Sequence, residues 1–116
     1  MVDDLEAQRE FCARELRDEG YEVEVAVSGE EAVRCLLKSK PDLVILDMSL
    51  PDMSGLEVLG RMLHSHPDLP VIINSAYDSY RDSFMAWAAA TYLKKSADLT
   101  ELKRAVRRIL AERKTA

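Results

Sequence analysis

Two stretches of the chain, Leu43-Val44-Ile45-Leu46 and Val71-Ile72-Ile73, are apolar at every position. A strand with one wet face alternates apolar and polar side chains, so an unbroken apolar strand has to be covered on both faces. Segments of this kind belong in the middle of a parallel sheet, with helices packed above and below it. What lies between them decides whether those helices exist.

They are legible. Residues 5–19 carry Leu5, Phe11, Cys12 and Leu16 at helical spacing, and Gly20 stands where the helix should stop. Residues 21–27 alternate strictly, with Val23, Val25 and Val27 on one side and Glu22 and Glu24 on the other. That is the pattern of a half-exposed strand at a sheet edge. Ser28 and Glu31 form a capping box for a helix to about Lys38, and Ser54 and Glu57 a second for a helix to about His64. Residues 78–89 read as a helix, Thr91-Tyr92-Leu93 as a short strand and 98–112 as the last helix, inward-facing at Leu99, Leu102, Val106, Ile109 and Leu110. Strands alternating with helices imply right-handed crossovers and an α/β fold.

A length of 116 residues with 47% hydrophobic content suits one domain, spanning 1–116. No apolar run is long enough to cross a bilayer, and no basic-then-apolar leader opens the sequence, so a cytoplasmic protein with no membrane partner is expected. Cys12 and Cys35 share no short spacing with each other or with His64 and His66, and read as reduced thiols rather than a metal knuckle. The net charge of −5 is unevenly spread: acidic through Glu31, basic from Lys94 onward. The basic tail lacks interleaved aromatics and lies on an amphipathic helix, so it reads as a solvated face and not as a nucleic-acid surface.

In sheets of this class the chemistry gathers at the carboxyl ends of the strands. Asp3-Asp4 precedes the first helix, Asp47 ends one buried strand, Ser75 ends the next, and Lys95 follows the last. Carboxylates brought together repel unless a cation joins them, and hard oxygen ligands suit Mg²⁺. A carboxylate can attack phosphorus to give an aspartyl phosphate. A metal and a lysine then neutralise the phosphoryl oxygens, while a serine hydroxyl and a backbone N–H donate to them. Taken singly, these residues have ordinary roles as caps, turn residues and surface charges. Ending successive strands of one sheet, they describe phosphoryl capture on Asp47.

The motifs resemble those of response-regulator receiver domains over nearly the whole chain. Val2-Asp3-Asp4 is similar to that family's acidic pair, and Leu46-Asp47-Met48-Ser49-Leu50-Pro51-Asp52-Met53-Ser54-Gly55 to its phosphoacceptor loop. Ser75-Ala76 matches the Thr/Ser-Ala pair, and Tyr92-Leu93-Lys94-Lys95 the aromatic-x-x-Lys of the fifth strand. The resemblance implies a flavodoxin-like, doubly wound five-stranded parallel sheet of order 2-1-3-4-5. It implies that Asp47 is phosphorylated by a histidine kinase or phosphotransfer protein, and that Asp4, Asp47 and the Ser49 carbonyl ligate Mg²⁺, with Asp3 supporting the metal mainly through water. Lys95, the Ser75 hydroxyl and the Ala76 N–H would hold the phosphoryl group. Tyr92 would turn inward as Ser75 moves, signalling at the face of the fourth helix and fifth strand to a downstream protein or a second copy. The chain would be a switch and not an enzyme.

Departures from the family pattern touch no reacting group: Leu5 follows the acidic pair, Ser96 follows Lys95 where proline is common, and Ala88-Ala89-Ala90 replaces a Gly-Ala pair. The largest is the first strand, reduced to Met1-Val2, which should leave an open slot resembling a template for strand addition. Three rival readings fit less well. A flavin-binding flavodoxin needs a phosphate cradle where Asp3-Asp4 would repel it. An aspartate-nucleophile phosphatase usually carries a second acid two residues on, where Ser49 stands. A pseudo-receiver would have lost a pocket residue, and none is lost. Trp87, with Phe84 and Met85, falls on the expected fourth helix beside the signalling face; such residues are more often core or half-core, and Trp87 is also a candidate partner anchor.

Overall fold

The computed structural model describes residues 1–3, 5–48, 50–75, 91–96 and 98–115, with 113–115 as backbone only. In chain order they form α1 (Glu6–Asp18), α2 (Gly29–Lys38), β1 (Val44–Leu46), α3 (Gly55–Ser65), β2 (Val71–Ser75), β3 (Thr91–Lys94) and α4 (Thr100–Thr115). The helix expected over 78–89, with Phe84, Met85 and Trp87, lies outside the described residues.

The three strands pair in parallel in the order β1, β2, β3, with Ile45 opposite Ile72 and Ile73 opposite Tyr92. Val2 extends the sheet, bridging in parallel to Leu46 on one side and Ala26 on the other. Its N–H donates to the Ile45 carbonyl (2.8 Å) and its carbonyl accepts from the Asp47 N–H (3.0 Å). Across the other edge, the Ala26 N–H donates to the Met1 carbonyl (2.9 Å) and the Asp3 N–H to the Ala26 carbonyl (3.1 Å). Two residues therefore hold the inner position of a first strand, and the order 2-1-3-4-5 is kept.

Coverage on both faces accounts for the unbroken apolar runs. Val44, Leu46, Val71 and Ile73 pack with Ala32 and Leu36 of α2 and with Val58, Leu59 and Met62 of α3. Ile45 and Ile72 point the other way, among Cys12 and Leu16 of α1 and Leu102, Val106 and Ile109 of α4. Each fully buried aliphatic side chain of this kind contributes roughly 1.5–3 kcal/mol.

Helix ends follow their local chemistry. Ser28 and Ser54 accept from the Glu31 and Glu57 N–H groups, each at 3.2 Å, so both expected caps form. Gly20, at φ +98°, ends α1: its N–H donates to the Arg17 carbonyl and that of Tyr21 to the Leu16 carbonyl, a Schellman closure that needs a residue free of a Cβ at that φ. The basic stripe of α4 is partly spent on α1, with Lys103 3.0 Å from Glu15 and 3.6 Å from Glu19, and Arg107 3.8 Å from Glu19.

One expected element differs. Over 21–27 the exposures alternate as the sequence suggests, Glu22 and Glu24 out and Val23 and Val25 partly in, but only Ala26 pairs and Val27 is exposed. The ladder neighbour of this segment is Met1-Val2, too short to pair with more of it. A slot of about 900 Å³ opens between residues 21–25 and 43–45, lined by Val23, Val25, Leu36, Leu43, Ile45 and Leu110 among others. Among the described residues, no helix is long and apolar enough to cross a membrane.

Candidate functional site

The short first-strand segment and β1 are parallel neighbours, so the residues that follow them leave the sheet at the same end. Those residues are Asp3 and Asp47, and both are buried, at 1% and 5% exposure. The β2–β3 ladder continues one residue further, where the Lys95 N–H donates to the Ser75 carbonyl at 2.7 Å. That bond delivers the Lys95 side chain to the same end.

There its ammonium lies 3.2 Å from Asp3 Oδ2, 3.1 Å from Asp47 Oδ2 and 3.0 Å from Gln8 Oε1. The lysine side chain is 9% exposed. Two buried carboxylates held together would each cost several kcal/mol in desolvation, besides their mutual repulsion, without a cation between them. Lys95 supplies it. Asp3 is further fixed through Oδ1, which accepts from the Leu5 N–H (3.0 Å) as α1 begins, and through its carbonyl, which accepts from Arg9 Nη1 (3.1 Å). Arg9 is itself buried, and its Nε has no hydrogen-bond partner among the described residues.

The loop after Asp47 is fastened at two points. The Gly55 N–H donates to the Met48 carbonyl at 2.9 Å, and a Cβ on Gly55 would lie 2.5 Å from Met48 Cα and 2.7 Å from the Asp47 carbonyl oxygen. Glycine is required here by close backbone approach. Asp52 accepts from the Gly29 and Glu30 N–H groups, both at 2.9 Å, tying the loop to the start of α2. Those two donors hold its carboxyl below the usual carboxylate range.

Ser75 ends β2 with its side chain fully buried, and Tyr92 lies in β3, partly buried against the α2–α3 side of the core. Asp4, Ser49 and Ala76 lie outside the described residues, and among those described no group of three metal-ligating side chains forms. The two cysteines are unbridged. Cys12 is buried, and that burial, followed by the nearby Asp3, pushes its thiol up.

The family model for the response regulator receiver domain matches residues 1–107. This chain is a receiver domain of that family. Its relatives include the probable transcriptional regulatory protein TcrX of Mycobacterium tuberculosis, 34% identical over 95% of this chain and 48% of that protein. The response regulator MprA of Mycobacterium leprae is 36% identical over 97% of this chain and 50% of that protein. The receiver thus spans about half the length of the curated relatives it matches. Among solved structures, the response regulator TrrA from Thermotoga maritima in complex with Mg²⁺-BeF has a TM-score of 0.90 at 42% identity, covering 93% of this chain and 94% of that one. TrrA in complex with the histidine kinase ThkA has a TM-score of 0.88, also at 42% identity, with 94% of each chain covered.

In this receiver the structure brings together Asp3, Asp47 and Lys95, with Ser75 one ladder bond away. Gln8 and Asp52 are additions that sequence reasoning did not single out. Gln8 lies one helical turn before the buried Cys12, so the i, i+4 spacing puts it on the inward face of α1. Asp52 has no such local signal, because its partner is 23 residues upstream.

Proposed function

We propose that Asp47 is the phosphoacceptor of a phosphorylation-controlled switch. The observation that carries this reading is the single ammonium of Lys95 held between two buried carboxylates at one end of a parallel sheet. An Asp47 carboxylate oxygen attacks phosphorus, the bond from phosphorus to the donor's histidine nitrogen breaks, and its electron pair stays on that nitrogen. Lys95 stands where it can pair with the phosphoryl oxygens, with the Ser75 hydroxyl and the Ala76 N–H as further donors.

Convergence of hard carboxylate oxygens on one cation is a donor set that suits Mg²⁺. Asp4, Asp47 and the Ser49 carbonyl would hold the ion, with Asp3 supporting it mainly through water. When bound, it neutralises charge developing on the phosphoryl oxygens. The TrrA complexes with Mg²⁺-BeF and with a histidine kinase support both the metal and the class of phosphodonor. The receiver, spanning 1–116 and cytoplasmic, would act by switching a partner rather than by turning over a substrate. Its readout would be the face carrying Tyr92, taken up by a downstream protein or a second copy.

The test is chemical. With a small phosphodonor and Mg²⁺ the protein should gain one phosphoryl group, labile to base and hydroxylamine. Asp47→Asn or removal of Mg²⁺ should abolish it, and Asp4→Ala should weaken Mg²⁺ binding far more than Asp52→Ala, whose carboxylate is engaged by α2. Stable phosphorylation of Asp47→Asn at the parental rate would overturn the assignment.

A further inference from the structure

The Lys95 ammonium has three protons, and among the described residues it meets three acceptors: Asp3, Asp47 and Gln8. Two are carboxylates, each strongly attractive to a cation. The third is a neutral amide oxygen, and it makes the shortest of the three contacts. Gln8 is well placed to be a fixed partner. It is half-buried in the first turns of α1, one turn from Cys12 and two from Leu16, both buried under the sheet. The far end of the same helix is clasped to α4 through Lys103.

We propose that Gln8 is a positioning residue for phosphoryl capture, holding the Lys95 ammonium over the Asp3–Asp47 pair until a phosphoryl oxygen takes its place. This rests on Asp47 being the phosphoacceptor. A lysine side chain has four rotatable bonds, and with one proton unsatisfied it gains by swinging toward water. Gln8 removes that incentive. Its neutrality matters equally: hydrogen bonds with an ion on both sides are stronger than those with an ion on one side, so the amide is the contact given up most readily to an anionic oxygen. A third carboxylate at this position would hold the lysine but not release it.

Two substitutions separate holding from releasing. Gln8→Met keeps the length and packing of the side chain and loses the acceptor; Gln8→Glu keeps an acceptor and adds charge. The readouts are the side-chain ammonium resonance of Lys95 in lysine-labelled protein and the rate of phosphorylation by a small phosphodonor with saturating Mg²⁺. Gln8→Met should lose the protected ammonium resonance and slow phosphorylation three- to tenfold, with an unchanged melting temperature. Gln8→Glu should keep the resonance and still phosphorylate more slowly than the parent. A Gln8→Met protein with the parental resonance, or with the parental rate, overturns the proposal, as does a Gln8→Glu protein that matches or exceeds the parent in rate. If the parent itself gains no phosphoryl group, the phosphoacceptor reading fails. The resonance alone then decides whether Gln8 holds Lys95, and a resonance unchanged in Gln8→Met overturns that too.

Discussion

Around Asp47, the proposed phosphoacceptor, the side chains divide between those that face its carboxylate and those that keep its loop in place. Lys95 belongs to the first group; Gly55 and Asp52 belong to the second. Two of the three contacts a Cβ would make at Gly55 are with backbone, Met48 Cα and the Asp47 carbonyl oxygen, and backbone cannot step aside as the third, the end of the flexible Met48 side chain, can. Gly55→Ala is therefore expected to displace the loop, with a loss of about 1–3 kcal/mol of stability in urea unfolding. It should also slow phosphorylation of Asp47 although it removes no reacting group. Gly29 makes a contrast: a Cβ there would meet side-chain atoms of Met53 and Val58, and Met53 can shift. An Ala at position 29 that proved as disruptive as one at 55 would contradict this account of the loop.

Among the elements, the incomplete first strand has the largest consequences. Val2 bonds to Ile45 and Asp47 on one side, so its neighbours upstream in register, the Leu43 carbonyl and the Ile45 N–H, face the slot. Met1 meets the Glu24 carbonyl through its amino group at 2.9 Å, in the place of a ladder N–H. Residues of a Val/Ile/Leu run added ahead of Met1 should fill the slot, raise the melting temperature by several degrees or more and tighten Mg²⁺ binding, because Asp3 is then anchored from both ends. Equal melting and equal Mg²⁺ affinity of the two forms, both monomeric, would count against it. The same position predicts a pH dependence. Burial lowers the Met1 amino group from its ordinary 8.0 to about 6. Between about pH 6 and pH 8 the unfolded chain then binds more protons than the folded one, so stability should be fully present above pH 8 and fall as pH drops through about 6. Urea titrations of the present and extended forms across that window should differ by this component, which the extended form lacks.

For the molecule as a whole, the sheet is a frame between two separate cores, with the site at the end toward which β3 runs. Lys95 and Tyr92 are three residues apart on and just beyond β3, and the Lys95 N–H is bonded to Ser75. On the proposed reading, a shift at Asp47 would reach Tyr92 through that bond and β3; Tyr92 is partly buried in this structure. Ser75→Ala is expected to leave Asp47 able to accept phosphate yet suppress the accompanying change in fluorescence of Trp87, the only tryptophan of the chain. One hydroxyl contact is worth roughly 1–3 kcal/mol, enough to bias a two-state equilibrium but not to throw it completely. The same fluorescence change in Ser75→Ala as in the parent would show that the coupling takes another path.

What the sequence by itself determined is whatever depends on neighbours along the chain. The unbroken apolar runs required a sheet covered on both faces, the Ser-x-x-Glu pairs placed the starts of α2 and α3, and Gly20 ended α1, each through contacts within a few residues. Motif spacing pointed to Asp47, Ser75 and Lys95 as strand-end residues. Contacts between distant segments were decided only by the tertiary structure. Lys95 reaches Asp3 across 92 residues and Gln8 across 87, and Asp52 caps a helix that begins 23 residues before it. The alternating segment 21–27 shows the same limit from the other side: its pattern is that of a strand, but a ladder needs a partner, and the segment pairs at Ala26 alone, opposite Val2. Propensity and periodicity act through the local chain, whereas an ion pair or a ladder bond exists only once the fold has brought its second half into reach.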